Sequence, residues 1–300
     1  MLLKAKATFM LLLVVLFWGL TFPMQKAILV DGLSPVFYNS LRFAIASILV
    51  IIYEKLQGRK VFRSIFNVQG LVLGLFLSGG YLFQTWGLVH TTASKSAFIT
   101  ALYVGFVAVL SPLIEKKLPS PIKVISLLIS ITGLYFLTSP ESGIQFGDLL
   151  TLICSLLFSL HVIYISVYTS ESDNEFEMLL PQLLVVTLVN GILIPFVPGK
   201  IILNGGTIFT ASFTAIFATI FAVAIQLRYQ KHIGSIGASL VYVGEPAFAL
   251  LFAMIFLGEI ASAREALGLV LMVFGIITGS LSIVGVKRKE IVESGCDRDG

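Results

Sequence analysis

Ten stretches of about twenty apolar residues follow one another along this chain, at roughly 7–29, 35–54, 69–89, 95–114, 122–138, 148–168, 177–196, 208–229, 235–257 and 266–286. A helix of that length spans the hydrocarbon core of a bilayer and satisfies its own backbone hydrogen bonds without water. The connectors are short and rich in Gly, Pro, Ser or charge, as at Leu33–Pro35, Lys116–Pro121, Ser139–Asp148 and Phe196–Lys200, so no linker joins soluble domains. Composition agrees: with 57% hydrophobic and 12% charged residues and a mean hydropathy of +0.99, the chain lacks the polar surface of a soluble globule. The expected partner is the lipid bilayer, and the expected fold class is an all-α membrane protein with ten transmembrane helices. The first segment follows Lys4 and Lys6 as a signal peptide does, but no small-residue cleavage site follows it, and Trp18, Pro23 and Lys26 interrupt it.

The basic residues orient these segments. With a cytoplasmic N-terminus, the inner side holds Lys4, Lys6, Lys55, Arg59, Lys60, Arg63, Lys116, Lys117, Lys123, Arg228, Lys231, Lys287, Arg288, Lys289 and Arg298, against Lys95, Lys200 and Arg264 outside. Both termini are expected in the cytoplasm of a multi-pass protein of the cell membrane. The loop Glu171–Glu177 fits poorly, being cytoplasmic without a Lys or Arg, although acidic residues weigh little in this rule. The net charge of +4 thus reflects topology, and no nucleic-acid partner is indicated. Cys154 and Cys296 have neither metal-ligand spacing nor a disulfide framework. No metal or cofactor is expected.

The stretch from Ser94 to Leu137 returns, weakened, about 140 residues later. Each copy has an apolar helix bearing Ser, Thr and Tyr, a hinge with a glutamate (Glu115 or Glu259), and a second apolar helix with a late glycine (Gly133 or Gly275). Five segments per half is an odd number, so two such repeats cross the membrane in opposite senses, a pattern of secondary transporters. The repeats are placed at 7–138 and 148–286, with a cytoplasmic tail at 287–300.

The first half opens with LFWGLTFPMQKAI (Leu16 to Ile28) and LSPVFYNSLRFAIASILV (Leu33 to Val50). The second opens with GDLLTLICSLLFSLHVIY (Gly147 to Tyr164) and closes with EPAFALLFAMIFLGE (Glu245 to Glu259). In order and spacing these segments resemble the EamA-type transporters of the drug/metabolite transporter superfamily over residues 7 to 286. Two positions depart from that pattern: Ile114-Glu115 stands where Gly-Glu is usual, and His161 where the sixth helix has an apolar or small residue. The resemblance implies inverted five-helix repeats, with helices 1–4 and 6–9 around a central cavity and helices 5 and 10 outside it.

Helical spacing marks candidate cavity faces independently of that resemblance. Ser96, Thr100 and Tyr103 on the fourth segment are matched on the ninth by Ser235, Ser239 and Tyr242, and Glu245 extends that stripe. Trp18, Thr21 and Gln25, then Tyr38 and Arg42, then Tyr81, Gln84 and Thr85, and finally His161, Tyr164 and Tyr168 add candidates from segments one, two, three and six. Ser and Thr in membrane helices commonly bond backbone, and Tyr and Trp commonly sit at the interface. Ionisable groups are more informative, because a charge near the bilayer centre costs about 2.5–3.5 kcal/mol. Glu245 is the acidic residue that this segmentation puts well inside a helix. Pro246 beside it withdraws one backbone donor, and a desolvated carboxyl that favours its neutral form suits proton coupling. Arg42 suits an anionic solute group, an outward snorkel or a carboxylate partner, with Glu245 the natural candidate. Lys26 and Asp148 are expected solvated at outer helix ends, and Glu115 and Glu259 to bond free backbone groups at their turns. The rows Gly70, Gly74, Ser78 and Gly275, Gly279 permit close helix approach, either within the chain or across a homodimer.

No HExxH, GxGD or GxSxG occurs, and the three histidines stand far apart, so no catalytic residue is assigned and an intramembrane enzyme is the weaker reading. The expected function is secondary transport of a small polar or zwitterionic metabolite, such as an amino acid, by alternating access. A channel or a non-transporting scaffold is the remaining alternative.

Overall fold

The computed structural model describes residues 2–91, 93–116, 118–138, 145–170, 172, 174–257 and 262–296. The described residues are helical, with α1 (Leu2–Leu29), α2 (Pro35–Leu56), a short α3 (Val61–Ile65) and α4 (Val68–His90), then α5 (Ala93–Ala101), α6 (Tyr103–Glu115) and α7 (Pro121–Thr138). The second half holds α8 (Phe146–Ser170), α9 (Leu179–Leu193), α10 (Gly205–Ala215), α11 (Ala222–Tyr229), α12 (Gly234–Tyr242), α13 (Glu245–Leu257) and α14 (Ala263–Cys296). Eight helical stretches among the described residues are long and apolar enough to cross a membrane, and Pro121–Phe136 forms a shorter apolar helix. The chain is a multi-pass helical membrane protein.

Local chemistry sets the helix starts. Ser34 caps α2 by accepting from Phe37 N, with Pro35 at the first helical position, where a missing N–H costs nothing. Asn67 and Asn204 cap α4 and α10 in the same manner, accepting from Gly70 N and Thr207 N at 2.8 Å. The connectors after α1 and α9 join by Ser34 N to Lys200 O (2.9 Å) and Lys200 N to Gly32 O (2.8 Å). Gly199, at φ +145°, lies against Ser34, where a side chain has no room.

Three of the expected apolar runs are not continuous α-helices. The fourth breaks at Leu102, and the ninth at Val243–Gly244. There Pro246 supplies no N–H to the Tyr242 carbonyl, and Gly244 N turns back to Val241 O at 3.1 Å. The eighth widens into a π-helical stretch over Ile216–Phe221. Glu245 is therefore the first residue of α13 rather than the middle of a continuous helix.

The helices pack as α4 on α8 and α9, α2 on α9 and α10, α1 on α12 and α13, and α6 on α8 and α12, with α7 against α14. Glycines permit the closest of these approaches. Gly70 and Gly74 face Met178, Pro181 and Val185 of the next layer, while Gly275 and Gly279 face Ser126 and Ser130 of α7. The Gly275 row is thus occupied within the chain. α14 continues to Cys296, beyond the expected end of the last segment.

Candidate functional site

The two helix breaks and the π-helical stretch meet around one internal cavity. It is lined by Trp18 and Thr21 of α1, Arg42 of α2, Leu77, Tyr81 and Gln84 of α4, and Thr100 and Tyr103 at the first break. Phe158, His161 and Val162 of α8, Val223 and Gln226 of α11, and Glu245 at the second break complete it. The space open to water-sized spheres is about 40 Å³, enough for ordered water and too small for an amino-acid-sized solute.

Arg42 is 1% exposed and held from several sides. Its Nε donates to Thr219 Oγ1 at 2.7 Å, and its Nη2 to Ala218 O at 3.1 Å and to Tyr81 Oη at 3.4 Å. The guanidinium also lies over the Tyr81 and Phe43 rings, 4.7 and 5.2 Å from their centroids. The π-helical stretch supplies the Thr219 hydroxyl and the Ala218 carbonyl, the latter available to other elements because the hydrogen-bond register there is altered. Ala218 O also accepts from Trp18 Nε1 at 3.1 Å, and Thr219 Oγ1 donates to Thr214 O at 2.9 Å. Arg42 Nη1 has no partner and no solvent access. The same is true of Tyr103 Oη on this cavity.

Glu245 is buried and makes no hydrogen bond or ion pair with any described residue. The expected pairing with Arg42 is absent among the described residues, since hydroxyl, carbonyl and aromatic groups hold the arginine elsewhere. One cavity therefore carries a guanidinium and a carboxyl that do not pair with each other. His161 Nε2 meets Gln182 Oε1 at 2.8 Å, and Gln182 Nε2 donates to Met178 O. The amide is thereby oriented to accept, so Nε2 carries the imidazole proton.

Of the sequence candidates, Trp18, Thr21, Arg42, Tyr81, Gln84, Thr100, Tyr103, His161 and Glu245 line the cavity, and nine others, Thr85 and Tyr168 among them, do not. Gln25 is buried off the cavity, and Ser96 is buried with an unpartnered hydroxyl. Tyr38 Oη bonds Thr214 Oγ1 (2.9 Å), while Tyr164 stacks between Phe76 and Tyr168. Ser235 bonds Ser111 (2.9 Å), Ser239 donates to Ile236 O, and Tyr242 donates to Gln230 Oε1 at 3.0 Å. The paired stripes are thus unequal: Thr100 and Tyr103 reach the cavity, whereas α12 is enclosed by α1, α6, α8 and α14 and spends its polar groups on packing.

The end-of-helix groups also differ from expectation. Lys26 Nζ donates to Leu88 O (2.8 Å) and Thr91 O (2.9 Å), closing the C-terminus of α4. Asp148 is buried and accepts from Thr91 Oγ1 and Gln145 N, so neither is simply solvated. Glu115 Oε1 has no partner instead of bonding the turn, while Glu259, the Ser142 loop, Glu171 and Arg298 lie outside the described residues. Glu54 is a further buried carboxyl, near the end of α2. Sequence reasoning passed over Gln226 and the amides Asn39 and Asn190, which form a network with the candidate Thr85: Asn39 Nδ2 donates to Tyr81 O (3.0 Å) and Asn190 Oδ1 (3.2 Å), and Asn39 Oδ1 accepts from Thr85. Uncharged amides inside apolar runs were the available signal.

A model of the EamA-like transporter family matches this chain twice, at residues 5–139 and 145–280. The chain belongs to the EamA-like transporter family. One relative from Archaeoglobus fulgidus, named only as an uncharacterized transporter, is 33% identical over 273 residues, covering 91% of this chain and 85% of its own. A second from that organism, with the same name, is 28% identical over 160 residues, 53% of this chain and 57% of its own. A solved crystal structure superposes with a TM-score of 0.75 at 16% identity, covering 93% of this chain and 98% of its own, and bears on the fold alone. EamA-like membership makes this protein a membrane transporter, with His161 and the unpaired Arg42 and Glu245 among its cavity groups.

Proposed function

We propose that this transporter carries a small zwitterionic metabolite, of the amino-acid type, by alternating access between two inverted five-helix repeats. The observation that carries the reading is the cavity shared by Arg42 and Glu245, a guanidinium and a carboxyl that do not pair with each other. A solute carboxylate takes the free Nη1 of Arg42, and a solute ammonium takes Glu245. In the absence of solute, a proton on Glu245 serves the same purpose, because an isolated charge is costly to bury.

The packing supports the inverted arrangement. Exchanging the halves turns α4 on α8 into α10 and α11 on α1, α6 on α8 into α13 on α1, and α5 on α13 into α12 on α6, and contacts occur at every exchanged pair. α2 with α9 and α7 with α14 map onto themselves. Tyr103 and Gly105 recur 139 positions later as Tyr242 and Gly244, so the break just before Tyr103 and the break just after Tyr242 lie near each other in that register without coinciding. Broken helices at a binding site are the element that rocking repeats use, and the cavity must widen before a solute enters. Both termini are assigned to the cytoplasm by the basic residues.

The test is counterflow in proteoliposomes, since only a carrier exchanges labelled for unlabelled amino acid without a net gradient. Glu245→Gln keeps the shape and removes titration. Its gradient-driven uptake is expected to fall at least tenfold, an order-of-magnitude expectation for an essential charged contact, at wild-type membrane yield. Normal uptake with an unchanged pH profile would sink the role of Glu245, and absence of exchange by the native chain with every amino acid would sink the solute class.

A further inference from the structure

A second concavity lies away from the solute cavity, at the end of the bundle where α1 begins and α2 ends. Its apolar part is a groove of Leu49, Val50, Tyr53, Leu179, Ile220 and Ala224. Leu49 and Tyr53 are exposed on the outer surface of the bundle, so the groove opens toward the lipid. Its polar part is a vestibule walled by Lys6, Arg59, Arg228 and Lys231, with Glu175 among them. Arg59 and Phe176 line both, so groove and vestibule meet there.

The charges are unevenly used. Lys231 Nζ pairs with Glu175 at 3.4 Å. Lys6 and Arg228 rest over the rings of Tyr229 and Phe176, each 5.7 Å from the centroid, contacts that leave the outward side of a cation open to an anion. Excess positive charge therefore faces the mouth of an apolar groove. Glu54 is buried on the groove wall beside the Ser64 hydroxyl and the Arg59 charge, and its Oε2 has neither a hydrogen-bond partner nor solvent access. An unpartnered buried acceptor beside a cationic mouth calls for a ligand that brings an anion and a hydroxyl donor, followed by a long apolar chain.

We propose that groove and vestibule hold one anionic phospholipid with a hydroxylated headgroup, of the phosphatidylglycerol type, from the adjacent leaflet. The phosphate sits among Arg59, Arg228 and Lys6, a headgroup hydroxyl donates to Glu54 Oε2, and an acyl chain lies along Val50, Ile220 and Ala224. Basic pockets between membrane helices at the positively flanked side suit such headgroups, since each cation near the surface attracts the anionic leaflet. The lipid bridges α2, the Glu175–Met178 turn and α11, the last of which continues into the π-helical stretch that holds Arg42.

The test uses the full chain purified in mild detergent and offered equal amounts of dioleoylphosphatidylglycerol and dioleoylphosphatidylcholine, with retained lipid counted by native mass spectrometry. The expected result is one retained phosphatidylglycerol, preferred roughly tenfold, equivalent to about 1.4 kcal/mol. In Arg59→Gln/Arg228→Gln, whose side chains are exposed, the preference falls to parity, and Arg59→Lys retains most of it. Ala224→Trp fills the groove and removes the retained lipid at unchanged melting temperature. Equal retention of the two lipids by the native chain overturns the proposal. So does stabilisation by inorganic phosphate as large as that by phosphatidylglycerol, because the site is then one for a free anion.

Discussion

Arg42→Met separates the scaffold role of this arginine from its role toward solute. The substitution keeps an unbranched apolar stem of similar reach and removes the guanidinium. Two of the three hydrogen-bond partners keep a second bond: Thr219 Oγ1 still donates to Thr214 O, and Ala218 O still accepts from Trp18 Nε1. Only Tyr81 Oη loses its one side-chain contact. Leaving that hydroxyl unsatisfied costs about 1–3 kcal/mol, offset in part because a buried charge no longer has to be desolvated. The variant should therefore fold and melt within a few degrees of the native chain. Solute binding has no such compensation. A charge-assisted hydrogen bond to a solute carboxylate contributes about 1.5–3 kcal/mol, so its loss weakens half-saturation roughly tenfold to a hundredfold. The assay is counterflow of a labelled amino acid in proteoliposomes, paired with a thermal melt of the same preparation. An unchanged half-saturation in a folded variant would falsify the contact. A collapse of melting temperature with binding lost in proportion would instead assign Arg42 to the scaffold.

The unequal stripes give a second test. In a background without Cys154 and Cys296, Thr100→Cys should react with a small polar thiol reagent and be shielded by solute, whereas Ser239→Cys, placed among packed helices, should react at least tenfold more slowly and show no shielding; equal solute-sensitive labelling at both would restore the symmetric lining. Topology is checked by reporter fusions: one after Lys289 should read cytoplasmic and one near Ser142 external, and the same reading at both sites would refute the ten-helix crossing.

The helical, membrane-spanning character was legible because apolar runs of membrane length leave few other folds, and the basic connectors supplied an orientation. The cavity was legible in part. Arg42, Tyr81, Thr100 and Glu245 lie on helical faces whose spacing is visible along one chain. Which face turns inward is decided by neighbours, and for Ser235, Ser239 and Tyr242 those are α1, α6, α8 and α14, none adjacent in sequence. The π-helical stretch was hidden for another reason. Nothing in IFATIF announces a change of hydrogen-bond register, yet that change lets Ala218 and Thr219 hold Arg42 away from Glu245. Amides such as Gln226 and Asn39 escaped notice because they carry no charge, although a buried amide demands partners nearly as strictly.

The two halves repeat a scaffold without repeating its chemistry. Tyr103-Val104-Gly105-Phe106 and Tyr242-Val243-Gly244-Glu245 stand in register, so the second half places a cavity-lining carboxyl where the first half has Phe106, inside α6. The first half contributes the buried cation, Arg42, to the same cavity. On the proposed inverted arrangement, breaks at neighbouring positions serve as the hinges, and Glu245 just after the second supplies polarity to the site. Under the proposed function, related hinges permit two conformations, while Arg42 and Glu245 fix how a dipolar solute lies between them. This division explains why Tyr242, the counterpart of a cavity-lining tyrosine, serves instead as a packing bond to Gln230. Once Glu245 occupies the cavity position after the break, the side chain before it is free to secure α12 to the π-distorted helix that follows α10, and through Val162 and Ser166 to α8.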